Sequence, residues 1–240
     1  MAKLGAFAAA LALILALAPA QQEGRAEFRN LNRSYHLELP TGWRQLAPNE
    51  ARLVGDLPGA PRDLKYVEPR SFYAVGPVDA WLAGDFSSPW LWVVEQGNEW
   101  EIEADFATRL HEMWRSRGES EGFRYELADV VQAPVGTQNR MSITAVRTAT
   151  PLAGDTAAAT RSLDVHAPSG GQQLSFSFTC RADAWPTWEP RFREWLATLT
   201  FARMAREEAS IGDRLWSPIL TGAAVGIVLL ILYKRSKRRS

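Results

Sequence analysis

Leu174-Ser175-Phe176-Ser177-Phe178-Thr179-Cys180 alternates apolar and hydroxyl-bearing side chains without a break. A period of two sets Leu174, Phe176, Phe178 and Cys180 on one face of a strand and the three hydroxyls on the other. Just upstream, Leu163 and Val165 alternate with Ser162, Asp164 and His166. Pro168-Ser169-Gly170-Gly171 lies between the two runs and is a strong turn signal, so the pair reads as a β-hairpin. Its apolar face needs cover, and the next segment offers it. Trp188, Phe192, Trp195, Leu196 and Leu199 fall on one stripe at helical spacing, with Thr187 placed as a cap and Pro190 in the first turn. Residues 198–201 then read as a short last strand. Paired strands followed by a helix with one apolar stripe indicate an α+β fold: an antiparallel β-sheet flanked by amphipathic helices.

Working outward, Tyr35, Leu37 and Leu39 alternate with His36 and Glu38 in a half-buried strand that stops at Pro40. Thr41-Gly42 turns the chain and Trp43 returns to the core. Residues 72–75 and 90–94 are apolar runs of strand length, and Met141, Ile143 and Ala145 alternate with Ser142 and Thr144. Residues 149–160 read as a mobile loop between strands. A second helix is expected over 98–118, with Asn98 and Glu101 as a capping pair and Ile102, Phe106, Leu110, Met113 and Trp114 on one face. Gly118 is its natural stop. No 20–50-residue period repeats, so residues 28–203 read as one domain, after a short segment 21–27.

Tyr35-x-Leu37-x-Leu39-Pro40-x-Gly42-Trp43 resembles the opening of PsbP-like domains, and the ending is similar too: an apolar strand over Leu174–Cys180, an amphipathic helix, and the short strand Thr198-Leu199-Thr200-Phe201. The resemblance spans about 28–203, with its specific residues at the two ends. It implies a central antiparallel sheet flanked by helices, and mostly non-enzymatic binding, assembly or accessory roles. It brings no shared catalytic motif. The chain departs from the lipoprotein members of that family, because no cysteine follows its N-terminal apolar stretch, and nothing in it points to a thylakoid.

The two ends carry targeting signals. In residues 1–20, Lys3 precedes an apolar stretch to Leu17, and Ala18-Pro19-Ala20 has the small-x-small form of a signal-peptidase site. Residues 215–233 read as a transmembrane helix; Trp216 to Tyr233 carries no charge, and its two aromatic rings suit the membrane interfaces. Lys234, Arg235, Lys237, Arg238 and Arg239 follow and place the 234–240 tail in the cytoplasm. The expectation is a single-pass protein of the cell membrane with its main domain extracytoplasmic (periplasmic) and residues 204–214 as a juxtamembrane stalk. Gly222 and Gly226 form a small-xxx-small pair through which two such helices can dimerise.

Charge supports this and narrows the partners. The chain balances 27 basic against 27 acidic residues, but Lys3 and the five tail cations account for six of the basic ones. The exported part is therefore acidic by about six charges, and no nucleic-acid partner is expected.

Chemistry is sparse. His111-Glu112 begins like a metalloprotease motif, but Arg115 stands where the second histidine belongs, so no metal site is expected. His36 and His166, with Glu38 and Asp164 two residues from each, are the least poor set for an exported hydrolase; each histidine also has an ordinary surface reading. Cys180 falls on the apolar face as a packing group. No phosphate-binding or dinucleotide fingerprint occurs, so no cofactor is expected. Asn32-Arg33-Ser34 fits a glycosylation sequon. Glu95, Glu99, Glu101, Glu103 and Asp105 read as solvated charge. The unusual feature is ten tryptophans. Trp81, Trp90, Trp92 and Trp100 are candidates for a surface that binds a partner or a glycan, since exposed indoles stack on sugars and anchor protein interfaces. The same residues can instead seal a sheet–helix interface. The function expected is a membrane-tethered interaction or assembly domain without catalytic activity; the alternatives are a glycan- or ligand-binding module and an exported hydrolase.

Overall fold

The hairpin is present and longer than its alternating core. The computed structural model describes residues 24–65, 67–97, 105–153 and 158–202. In it, β8 (Thr160–Ser169) and β9 (Gln172–Arg181) pair antiparallel from Thr160 opposite Arg181 to Ser169 opposite Gln172. Gly170 and Gly171 close the turn, both at positive φ, which a side-chain-bearing residue rarely adopts. Five further strands extend the pair: β3 (Arg44–Gln45), β4 (Phe72–Gly76), β5 (Trp90–Gln96), β6 (Phe123–Val135) and β7 (Arg140–Pro151). The order β3-β4-β5-β9-β8-β7-β6 is antiparallel at every step. A second, three-stranded sheet has the order β1-β2-β10, from β1 (Arg25–Arg29), β2 (Tyr35–Pro40) and β10 (Thr200–Phe201). Among the described residues four α-helices cover the sheets: α1 (Pro48–Gly55), α2 (Val78–Leu82), α3 (Phe106–Glu121) and α4 (Trp185–Ala197).

The apolar half of the alternation makes the main core. Leu163, Val165, Leu174, Phe176, Phe178 and Cys180 pack with Leu91 and Val93 against Tyr35, Leu37 and Leu39 of β2 and against Phe192, Trp195 and Leu196 of α4. Phe178 lies 5.8 Å from Phe192, and Tyr35 meets Phe176 edge-on at 4.8 Å. Each such side chain withdrawn from water contributes ~1.5–3 kcal/mol.

The other face is not left to solvent. Helix α3 lays Phe106, Leu110 and Trp114 on Ile143 and Ala145. Leu46, Val54, Leu64, Val78 and Trp81 cover Ala74 and Trp90. Ser162, Asp164, His166 and Thr179, the polar members of the alternation, are consequently buried as well.

Both helix boundaries differ from the sequence expectation. Helix α3 runs through Gly118 and ends at Gly122, whose φ of 74° provides the left-handed cap. Gly118 serves a different need, because a Cβ there would lie 2.5 Å from the Phe123 carbonyl oxygen where β6 passes. Met113 is 39% exposed, since the buried stripe follows Phe106, Leu110 and Trp114 at strict four-residue steps. Asn98, Glu101 and Ile102 lie outside the described residues. Helix α4 begins at Trp185 with Pro186 in its first turn, so Thr187 is inside it rather than capping it, and Pro190 is in its interior. Ala149–Pro151 continue β7 and Thr160 opens β8, so the expected loop shrinks at both ends.

Among the described residues no helix is long and apolar enough to cross a membrane. The signal 1–20, the stalk 204–214, the span 215–233 with Gly222 and Gly226, and the tail 234–240 all lie outside the described residues.

One contact fixes the start of α2. The Trp81 ring lies directly over Gly76, where a Cβ would come 2.3 Å from its Cζ2. Gly76→Ala is therefore expected to cost ~1–3 kcal/mol of overpacking. At Gly97, where nothing lies within 4 Å, alanine should change stability by less than ~0.5 kcal/mol; chemical denaturation of the two variants checks the difference.

Candidate binding cleft

Strand β2 ends in Pro40-Thr41-Gly42-Trp43, where the Trp43 N–H donates to the Pro40 carbonyl at 3.1 Å. Gly42 has a φ of +87°, as the third position of a type II turn requires. The turn sends Trp43 back onto α4, where its ring meets Trp195 at 5.1 Å and 70°. Trp188, on the same helix, stacks on Phe192 at 6.3 Å and 18° and leans on Trp195 at 6.1 Å. Trp43 and Trp188 are both half-buried. They line a cleft of about 380 Å³ together with Pro40, Pro77, Ala80 and Pro89. Among the described residues its polar side chains are those of Thr41, Ser88 and Asp79. Arg44 donates to Asp79 at 3.0 Å and clamps Glu50 through two bonds of 2.8 Å. That guanidinium holds the Glu50 carboxyl below its usual range. Trp195 is 3% exposed, so the cleft's two indoles rest on a rigid base.

A second polar assembly lies inside the fold. Arg147 donates to Asp164 at 2.7 and 3.2 Å and to Ser162 at 3.2 Å, and Ser162 and Thr179 share a bond of 2.9 Å. The Arg147 guanidinium lies 4.1 Å from the centre of the Trp114 ring. His166 Nδ1 is 2.8 Å from Ser175 Oγ, and burial pushes the imidazole down to about 4. A third group is built on Glu95, which accepts from Asn30 at 2.8 Å, Asn32 at 3.0 Å and Tyr73 at 2.8 Å.

Most sequence candidates are not brought together. Trp81 and Trp90 are 0% and 3% exposed, which corrects the idea of a surface platform: they seal the interface between the large sheet and the α1–α2 layer. Trp92 is half-buried beside Phe72, at 6.1 Å, and Trp100 lies outside the described residues. His36 is on β2 in the small sheet and His166 on β8 in the large one. Asp164 is engaged by Arg147 rather than by His166, so the hydrolase set is not assembled. The surface reading holds for His111 and is corrected for His166, which is 6% exposed. Cys180 is buried, and its thiol is pushed up to about 12 by burial, as befits a packing group. Glu95 is corrected from solvated charge to a hydrogen-bonding hub. The Asn32 amide of the sequon donates to that same carboxylate. Among the described residues no group of three metal-ligating side chains converges. Sequence reasoning passed over the cleft because it gave Trp43 and Trp188 to the core; the Pro-x-Gly-Trp turn was the available signal.

No family model matches the chain, and no curated protein matches it. Solved structures do. The solution structure of PsbP from the cyanobacterium Synechocystis is similar at 13% identity and a TM-score of 0.44, over 76% of this chain and 95% of that one. The Ran-binding protein Mog1p of Saccharomyces cerevisiae is similar at 9% identity and a TM-score of 0.43, over 75% of this chain and 97% of that one. A PsbP structure is thus among the solved structures to which the chain is similar.

The buried histidine has a measurable consequence. Its pKa is near 6.5 when unfolded and about 4 when folded. The neutral form is thus favoured by the fold, and the contribution is complete above pH 6.5 and lost as pH falls through 4. A shift of this size corresponds to ~3 kcal/mol. Urea unfolding at pH 7 and pH 4.5 should show a loss of stability that is markedly smaller in His166→Asn.

Proposed function

We propose that residues 28–203 are a docking domain without catalytic activity, exported and held at the cell membrane by residues 215–233, which binds a protein partner at the Trp43–Trp188 cleft. The observation that carries this reading is the cleft itself. Two half-buried indoles face an open space, and both rest on one buried ring. Large aromatic side chains on a rigid base are the usual anchors of protein interfaces, because they bury much area at little entropic cost.

Strand β2 supports the same reading by its direction. Pro40, at one end, opens into the cleft. At the other end the Ala202 N–H donates to the Ser34 carbonyl at 2.9 Å, next to where the described chain stops. The six residues of β2 separate the two, a distance of ~20 Å. The cleft and the last described residue thus lie at opposite ends of β2. In this proposal residues 1–20 are removed as a signal peptide, 204–214 act as a stalk, and 234–240 lie in the cytoplasm. Gly222 and Gly226 offer a face for a second copy of the span.

A photoreactive residue in the full-length protein, in intact cells, tests the docking site. Placed at Thr41, on the cleft, it should give a discrete crosslinked partner. At His111, on the outer side of α3, it should give none. No adduct from position 41, or equal yields from the two positions, overturns the proposal.

A further inference from the structure

We propose that the cleft takes an extended, proline-containing peptide segment of the partner, with a basic residue of that segment over Asp79; this rests on the docking reading above.

The lining chemistry separates a peptide from a sugar. A sugar carries a hydroxyl on almost every carbon and is held by several carboxylates and amides around a stacking ring. Among the described residues no amide side chain lines this cleft, and the one carboxylate, Asp79, already accepts from Arg44. The walls are proline rings and indole faces. A polyproline II segment suits such walls: it is stiff before it binds, it presents apolar rings, and its backbone offers only carbonyl acceptors where proline removes the N–H. The donors for those carbonyls are here. Trp43 and Trp188 each carry an indole N–H, and Thr41 and Ser88 bring hydroxyls to the same space.

Charge sets the flanking residue. Arg44 is matched by Glu50 in a two-bond clamp, and its single bond to Asp79 is supernumerary. Two carboxylates against one guanidinium leave this lip with a net negative charge. The Asp79 side chain is 88% exposed, so a cation can reach it without displacing the clamp. A lysine or arginine beside the prolines gains there what an exposed ion pair provides.

The experiment uses full-length protein in detergent micelles on an array of dodecapeptides containing Pro-x-x-Pro, each with and without one arginine, beside proline-free peptides and chitotetraose. Proline peptides should bind, and the arginine versions should bind better. Asp79→Asn should weaken only the arginine versions, about twofold to fivefold. Trp188→Ala should weaken all of them by about tenfold or more. Because Trp188 also packs on Phe192, Thr41→Arg is the second variant: Thr41 is an exposed turn residue, and an arginine there should fill the cleft and abolish binding with the thermal melt unchanged. Equal signal from proline-free peptides, no signal from any proline peptide, binding untouched by Thr41→Arg, or binding of chitotetraose in their place each overturns the proposal. If the crosslink from position 41 persists while proline peptides fail, the docking reading stands and the peptide chemistry falls; loss of the crosslink ends both.

Discussion

Strands β8 and β9 are buried on both faces, and only one of those faces is apolar. Everything packed around them answers that constraint. On the apolar side, Phe176 and Phe178 need large partners, and β2 and α4 provide them. On the polar side, a charge cannot be withdrawn from water without a matching partner. Arg147 and Asp164 satisfy one another, the Ser162–Thr179 pair closes the row, and Trp114 lays its ring on the guanidinium. Removing one member would leave the other charged and buried, which typically costs ~3–5 kcal/mol. The position of α3 is part of this arrangement, because the helix that brings Trp114 also shields the ion pair.

The cleft is a by-product of the apolar side. Phe178 sets α4 against the sheet through Phe192 and Trp195, at 5.8 and 6.4 Å. The outer surface of Trp195 then supports Trp43 and Trp188. Gly42 allows the turn that brings Trp43 there, and Pro40, Pro77 and Pro89 line the cleft beside it. A cleft assembled from the ends of β2, α2, β5 and α4 has no continuous signature in the chain. Only the Pro-x-Gly-Trp turn announced any of it.

Edge elements were illegible for a related reason. In β6 the burial alternates weakly, because the strand is bonded to β7 alone and stays wet along its outer side. Only its first half alternates: Phe123, Tyr125 and Leu127 are half-buried between exposed Arg124, Glu126 and Ala128. A bulge at Asp129, with a φ of 52°, breaks what pattern remains. Strand β1 is mostly charged and exposed, and it is a strand only because β2 supplies its hydrogen bonds. Trp81 and Trp90 are the converse case. Spacing could not say whether their rings faced solvent, because α1 and α2, which bury them, are short and weakly periodic.

The amino-acid sequence by itself determined the α+β class, the β8–β9 hairpin, the stripe of α4 and the Pro-x-Gly-Trp turn. These depend on residues within a few positions of one another, through the pleat, the helical repeat and the freedom of glycine at positive φ. Tertiary structure alone decided that Asp164 and His166 are interior, that Trp81 and Trp90 are sealed, and that Trp43 and Trp188 share a cleft. In each case the deciding neighbour comes from another element of the fold: Arg147 of β7 for Asp164, Val54 of α1 for Trp81, and Trp195 of α4 for Trp43. A periodic pattern states which residues share a face; what covers that face depends on contacts the pattern does not contain.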